Sequence, residues 1–251
     1  MTKILVLANQ KGGVGKTTTA VNLGAYLSEK GKEVLLVDFD PQSNLSSSVG
    51  ANTEKPGIYE LLTGKIDIGG SIQKTSLSKL SIISASINLA GATVELADHT
   101  RREFFLKEAL EQAPKNLDYI LIDCPPSLGI LTLNGLVAAE YVIIPLQCEY
   151  LALEGLTMLL KTIKMVQKNL NPALKIGGIV FTMYDQRTRL AHEVVQEVTS
   201  YFKEKVFRTI IPRNVRLSEA PSFSKTINQY DPYCIGARSY DKLADEVLSN
   251  V

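Results

Sequence analysis

Cysteine, histidine and net charge are all scarce in this chain, which has three cysteines and two histidines in 251 residues and a formal charge of +1. Cys124, Cys148 and Cys234 lie far apart, with no C-x-x-C pair and no zinc-ligand spacing. That argues against a disulfide framework or a zinc module and suits a reducing cytosol. His99 and His192 stand alone and are read as incidental. The near-zero charge neither demands nor excludes a nucleic-acid partner, so only local clusters can argue that case. No apolar run approaches the roughly 18 residues that suggest a membrane span. The N-terminal run Met-Thr-Lys-Ile-Leu-Val-Leu-Ala is too short and too quickly polar for a signal peptide and reads as a first strand. A soluble, cytoplasmic protein is expected.

What is present is alternation. Short apolar runs at Ile4–Ala8, Glu33–Asp38, Leu80–Ser84, Tyr119–Asp123, Tyr141–Leu146, Ile176–Thr182 and Val206–Ile211 read as strands. Several are near-continuous Val, Ile and Leu, as strands covered on both faces require. Helical patterns lie between them at Lys16–Lys30, Arg101–Gln112, Leu128–Ala138, Ala152–Asn169 and Leu190–Lys203, with a last one over Ala237–Leu248. This order predicts an α/β fold: one doubly wound, mostly parallel sheet with helices on both faces. No repeat, low-complexity tract or long linker interrupts it, so residues 1–251 are read as a single domain. Ser43–Ser78, rich in Ser, Asn, Thr and Gly, has the weakest pattern.

Between the first strand and the first helix stands Gln10-Lys11-Gly12-Gly13-Val14-Gly15-Lys16-Thr17-Thr18. The ordinary P-loop is G-x-x-x-x-G-K-[ST], and here Gln10 takes the place of its first glycine. The strand–loop–helix context nevertheless fits. Glycines at 12, 13 and 15 let backbone N–H groups turn inward around a phosphate, and the helix N-terminus adds partial positive charge. Lys16 is expected on the β- and γ-phosphates, Thr17 on Mg²⁺ and Thr18 near the α-phosphate. Lys11 is a second cation at the rim. One loop need not direct both lysines at its own nucleotide, so Lys11 would reach the ATP of a facing copy, as an arginine finger does.

Two later strands end in acids. In Val37-Asp38-Phe39-Asp40-Pro41 the two carboxylates are two residues apart and share one side of an extended chain. Asp40 is expected to orient the attacking water, and Asp38 to belong to the surroundings of Mg²⁺. Ile122-Asp123-Cys124-Pro125-Pro126 supplies a third acid, expected to hold Mg²⁺ directly or through water.

Lys-Gly-Gly-Val-Gly-Lys-Thr-Thr, Val-Asp-Phe-Asp-Pro-Gln and Ile-Asp-Cys-Pro-Pro-Ser, in that order, resemble the deviant P-loop ATPases, the superfamily of ParA, Soj and MinD. The runs Gln147–Gly155 and Ile211–Pro221 look specifically like chromosomal ParA/Soj. The resemblance covers about residues 3 to 248. It implies a switch ATPase using ATP/ADP and Mg²⁺, in which ATP joins two subunits into a homodimer. That dimer would bind double-stranded DNA without sequence preference and so associate with the nucleoid. A ParB-type partner would stimulate slow hydrolysis. By position, Lys11 is the signature lysine, Gly12 lies at the dimer centre, and Val14 belongs to the phosphate loop. Met183, Pro212 and Asn214 match positions near the adenine.

From Arg187 to Arg238 nine Lys or Arg stand against five Asp or Glu. Arg187, Arg189, Lys203, Arg213, Arg216 and Lys225 are the candidates for DNA phosphate contact, with Arg187 and Arg216 singled out by the resemblance. Dimerisation would present the patch twice on one duplex. The rival readings are a ParA-like ATPase that positions a protein complex and a MinD-like membrane-positioning ATPase. The last needs a basic amphipathic tail with bulky apolar residues. The tail from Asp241 to Val251 is acidic and lacks aromatics, so no stable membrane anchor is expected. With the first strand so near residue 1, no preceding helix-turn-helix domain is expected either.

Overall fold

The computed structural model describes residues 2–96, 98–149 and 152–251. Tyr150 and Leu151, inside the Gln147–Gly155 run, therefore lie outside the described residues, as do Met1 and Ala97. Seven strands form one sheet: β1 Lys3–Leu7, β2 Val34–Asp38, β3 Ile72–Lys74, β4 Leu80–Ile83, β5 Tyr119–Asp123, β6 Tyr141–Gln147 and β7 Lys175–Thr182. Their order is β3-β4-β2-β5-β1-β6-β7. Every pairing is parallel except β3 with β4.

Among the described residues, twelve α-helices surround the sheet: α1 Lys16–Glu29, α2 Asn44–Ser48, α3 Ile58–Leu62, α4 Ile68–Ser71, α5 Leu89–Glu95, α6 Phe105–Leu110, α7 Ile130–Ala138, α8 Ala152–Asn169, α9 Arg189–Phe202, α10 Val215–Glu219, α11 Ile227–Tyr230 and α12 Ile235–Asn250. The strand pleat divides the core in two. On β5, Ile120 and Ile122 join the cluster covered by α3 and α5–α9, while Tyr119 and Leu121 join the one covered by α1, α2 and α10–α12. Both faces are dry, which is why the strands read as unbroken apolar runs.

Val206–Ile211 is not a strand. It touches β7 through Phe207 N–H to Ile179 O (2.9 Å) and Ile211 N–H to Phe181 O (2.8 Å). Between those points the N–H groups of Arg208 and Thr209 donate instead to the Glu246 carboxylate, at 2.8 and 2.7 Å. A side chain from α12 thus takes the donors that a ladder would need. The seventh strand is β3, a short antiparallel edge within the weakly patterned segment. The helix expected over Arg101–Gln112 shortens to α6, because Arg101 sits at φ 66° and the chain turns there.

Close docking of α7 sets the end of β5. A Cβ on Gly135 would stand 2.6 Å from Cys124 Sγ and 3.1 Å from Val6 Cγ2. The C-terminal helix α12 spends its apolar face internally. Ala237, Tyr240, Leu243, Ala244 and Val247 are buried, and the Tyr240 hydroxyl lies 3.1 Å from that of Thr19 on α1. Lys30 closes the same junction with ion pairs to Asp241 and Asp245. No helix among the described residues is long and apolar enough to cross a membrane.

Candidate active site

The loop between β1 and α1 is suspended from its neighbours. Buried Asn9 donates through Nδ2 to the Pro145 carbonyl (2.7 Å), and its Oδ1 accepts the N–H of Lys11 (3.0 Å). The Thr182 hydroxyl donates to the Val14 carbonyl (2.8 Å). With the Lys11 N–H held by Asn9 and the Val14 carbonyl by Thr182, the loop has a fixed shape at the helix N-terminus. Gly13 at φ 72° and Gly15 at φ 83° occupy the left-handed region, where a Cβ is strained. Gly12 faces the loop after β5, since a Cβ there would lie 3.6 Å from the Pro126 side chain. Asn9, Thr182 and Pro126 were not legible as site residues, because each acts through a neighbour distant in sequence.

The two lysines diverge. Lys16 is buried at the start of α1, and its ammonium donates back to the Lys11 carbonyl (3.3 Å). Burial pulls its pKa down, opposed by the charges of Asp123 and Asp40. Lys11 reaches the other way, to the rim, where its ammonium pairs with Glu149 Oε2.

Asp38 and Asp123 are register partners at the ends of adjacent parallel strands. Asp38 is fully buried and accepts three hydrogen bonds: Ser46 N–H at 2.8 Å, Ser46 hydroxyl at 2.7 Å and Asp40 N–H at 3.2 Å. Burial nevertheless raises its pKa to about 6, with those hydrogen bonds working against the shift. Asp123 is as deeply buried, yet neither of its oxygens has a hydrogen-bond partner of standard geometry. Burial, then the charge of Asp38, push it to about 8; the neighbouring Thr17 hydroxyl and the Lys16 charge hold it down. Asp40 caps its own turn, accepting Gln42 N–H at 3.0 Å, and its charge is felt by both Lys16 and Asp123. Cys124 is buried with its thiol pushed well up, an inert packing residue beside the site.

Beyond the loop, β7 runs into Met183, a non-glycine residue at φ 49°. Its methyl lies 3.8 Å from where a Cβ on Gly15 would stand. Tyr184 N–H donates to the Ile211 carbonyl (3.1 Å) and Arg213 N–H to the Tyr184 carbonyl (3.0 Å). These bonds pair Pro212 with Tyr184, the residue that follows Met183. Asn214 Oδ1 is a buried acceptor without a partner among the described residues.

The basic candidates are dispersed and mostly paired. Arg187 forks onto Asp185 at 2.9 and 2.7 Å, Arg189 meets Glu193 at 2.7 Å, and Arg216 meets Glu219 at 2.9 Å and Asp231 at 3.4 Å. Arg187 and Arg213 share the Tyr184 turn, and both are exposed, as is Lys225. Lys203 is set apart from them: it follows the far end of α9, about 20 Å from Arg189 by helical rise.

These residues fit a magnesium nucleotide. No three His, Cys, Asp or Glu side chains among the described residues converge into a metal cage. Mg²⁺ seldom needs one, since one or two protein oxygens suffice beside phosphate and water. The orphaned, buried Asp123 beside Thr17 is such a donor set, and the turned glycines with Lys16 form the phosphate cradle.

Comparison with known proteins agrees. A family model described as AAA domain matches residues 2–176. The chain is 61% identical to a chromosome-partitioning ATPase Soj of Treponema pallidum, over 99% of this chain and 98% of that one. It is 54% identical to the sporulation initiation inhibitor protein Soj of Bacillus subtilis, over 100% of both. Among solved structures, cobyrinic acid a,c-diamide synthase from Mycobacterium smegmatis with bound ADP and magnesium superposes with a TM-score of 0.86 at 41% identity, covering 99% of this chain and 94% of that one. The same protein is known with a bound ATP analog and magnesium. The chain belongs to the ParA/Soj family of chromosome-partitioning P-loop ATPases.

Proposed function

We propose that this ATPase is a two-subunit switch: ATP closes a homodimer that binds double-stranded DNA without sequence preference, and a ParB-type partner stimulates its slow hydrolysis. The observation that carries the reading is the divergence of the two loop lysines. Lys16 curls over its own loop, whereas the Lys11 ammonium stands at the rim, away from it. A cation placed there serves a nucleotide held by a facing copy.

Within one subunit, the N–H groups of residues 12–18 and the Lys16 ammonium would bind the phosphates and balance their charge. Thr17 and Asp123 would hold Mg²⁺, which when bound draws electron density from the phosphate oxygens. Asp40, pinned by Gln42 N–H at one oxygen, keeps the other for orienting the attacking water. The partner's copy of Lys11 would complete charge stabilisation as the terminal phosphoryl group departs. Without a finger-type cation a P-loop enzyme turns over about 10³–10⁵ times more slowly. A lone subunit is therefore nearly idle, and the lifetime of the dimer times its hold on DNA. Met183, Pro212 and Asn214 would face the base, with Asn214 Oδ1 accepting the adenine amino group.

The test is DNA binding with ADP, ATP and a slowly hydrolysed analogue, on wild type, Lys11→Ala, Asp40→Ala and Arg216→Glu. Binding should require ATP, fall steeply with salt, persist longer in Asp40→Ala and vanish in Arg216→Glu with nucleotide affinity intact. Because Arg216 also ties α10 to Asp231, Arg213→Glu and Lys225→Glu serve as companions free of that contact. Equal DNA affinity with ADP and ATP would defeat the switch.

A further inference from the structure

Glu149 has no place in the chemistry above, yet it is the only side chain that holds the Lys11 ammonium among the described residues. Its own position is preset. The Glu149 N–H donates to the Gln147 carbonyl (2.9 Å), its carbonyl accepts Ala152 N–H at the start of α8 (2.9 Å), and its second carboxylate oxygen is held by the Gln147 amide. The backbone of Lys11 is equally fixed, through Asn9, to the same strand end at Pro145. Only the lysine side chain is free to swing. While it rests on Glu149 its charge is neutralised and turned from any second nucleotide.

We infer that Glu149 is the positioning residue for Lys11: it holds the ammonium retracted in the single subunit and yields it to the more highly charged phosphates of a facing copy. The inference rests on the two-subunit reading. It sets a threshold for closure, because each half-site exchanges one carboxylate for a polyphosphate before the dimer forms. The side chains of Lys11 and Glu149 are 34% and 49% exposed, so the pair is solvent-screened and its leverage is modest. A pair of this kind shifts an equilibrium by about two- to fivefold.

The experiment compares wild type, Glu149→Gln and Glu149→Asp in two measurements. The first is acetic anhydride labelling of Lys11 in the nucleotide-free protein, read by mass spectrometry. The second is dimerisation with a slowly hydrolysed ATP analogue, read by sedimentation across protein concentration. Glu149→Gln should label at Lys11 about two- to fivefold faster and, because two pairs are released per dimer, reach half-dimer at about 4- to 25-fold lower concentration. Glu149→Asp should fall between it and wild type, and nucleotide affinity of the dilute single subunit should not move. Unchanged labelling, or dimerisation unchanged or weakened by Glu149→Gln, overturns the inference. If wild type itself fails to dimerise with the analogue while Glu149→Gln labels faster, the two-subunit reading fails and the ion pair stands.

Discussion

The ends of β2 and β5 place the same residue type side by side at the same level of the sheet, Asp38 against Asp123, in opposite surroundings. Asp38 accepts from three donors, two of them from Ser46, which fasten β2 to α2, and Ser46 also accepts Ala85 N–H at 3.0 Å. Asp123, one strand over, is as deeply buried and has no donor of standard geometry among the described residues, only the neighbouring Thr17 hydroxyl. A buried carboxylate without donors costs folding free energy, and natural sites keep such a cost where a ligand relieves it. The donors tie Asp38 to the architecture, and we propose that Asp123 serves the reaction. Equal burial and the same residue type do not mean equal roles; the inventory of donors separates them.

The largest effect that sharpens this contrast is on catalysis. Asp123→Ala should lower partner- and DNA-stimulated ATP turnover by at least about 100-fold, with the melting temperature of the nucleotide-free protein unchanged or raised. A drop in melting temperature matching the loss of turnover would break the distinction. Asp38→Ala should act the other way round, through stability. It strands two N–H groups and a hydroxyl, so urea unfolding should show a loss of about 2–4 kcal/mol.

Titration follows next. Both acids have folded pKa values raised above the unfolded one, so the folded state holds protons that the unfolded state has released. Stability of the nucleotide-free protein then falls as pH rises, and the slope ends above the folded values of about 6 for Asp38 and about 8 for Asp123. Asp123→Asn should remove the fall between about pH 6 and 8 and roughly halve that between about 4 and 6, where Asp38 still contributes, seen by thermal unfolding across pH. The smallest effect expected is Ser46→Ala, about 1–2 kcal/mol in the same unfolding assay, since Asp38 keeps its two backbone donors.

Sequence alone determined the sheet-and-helix alternation, the phosphate loop at residues 10–18 and the acids at positions 38, 40 and 123. These are local: a strand covered on both faces must be apolar throughout, and a phosphate cradle needs glycines within one turn of the chain. Six of the seven strands and the bounds of α8 follow from that periodicity. Tertiary structure decided what depends on partners distant in sequence. Val206–Ile211 has a strand's composition, but Glu246, from the last helix, takes its donors. Glu149 meets Lys11 across 138 positions, and Asn9 grips Pro145 across 136. Asp38 and Asp123 read alike on the page, as acids ending apolar strands. Only the fold put Ser46 under one and left the other with no more than the neighbouring Thr17 hydroxyl, because hydrogen bonds are assigned by proximity in space, which residue type and spacing do not encode.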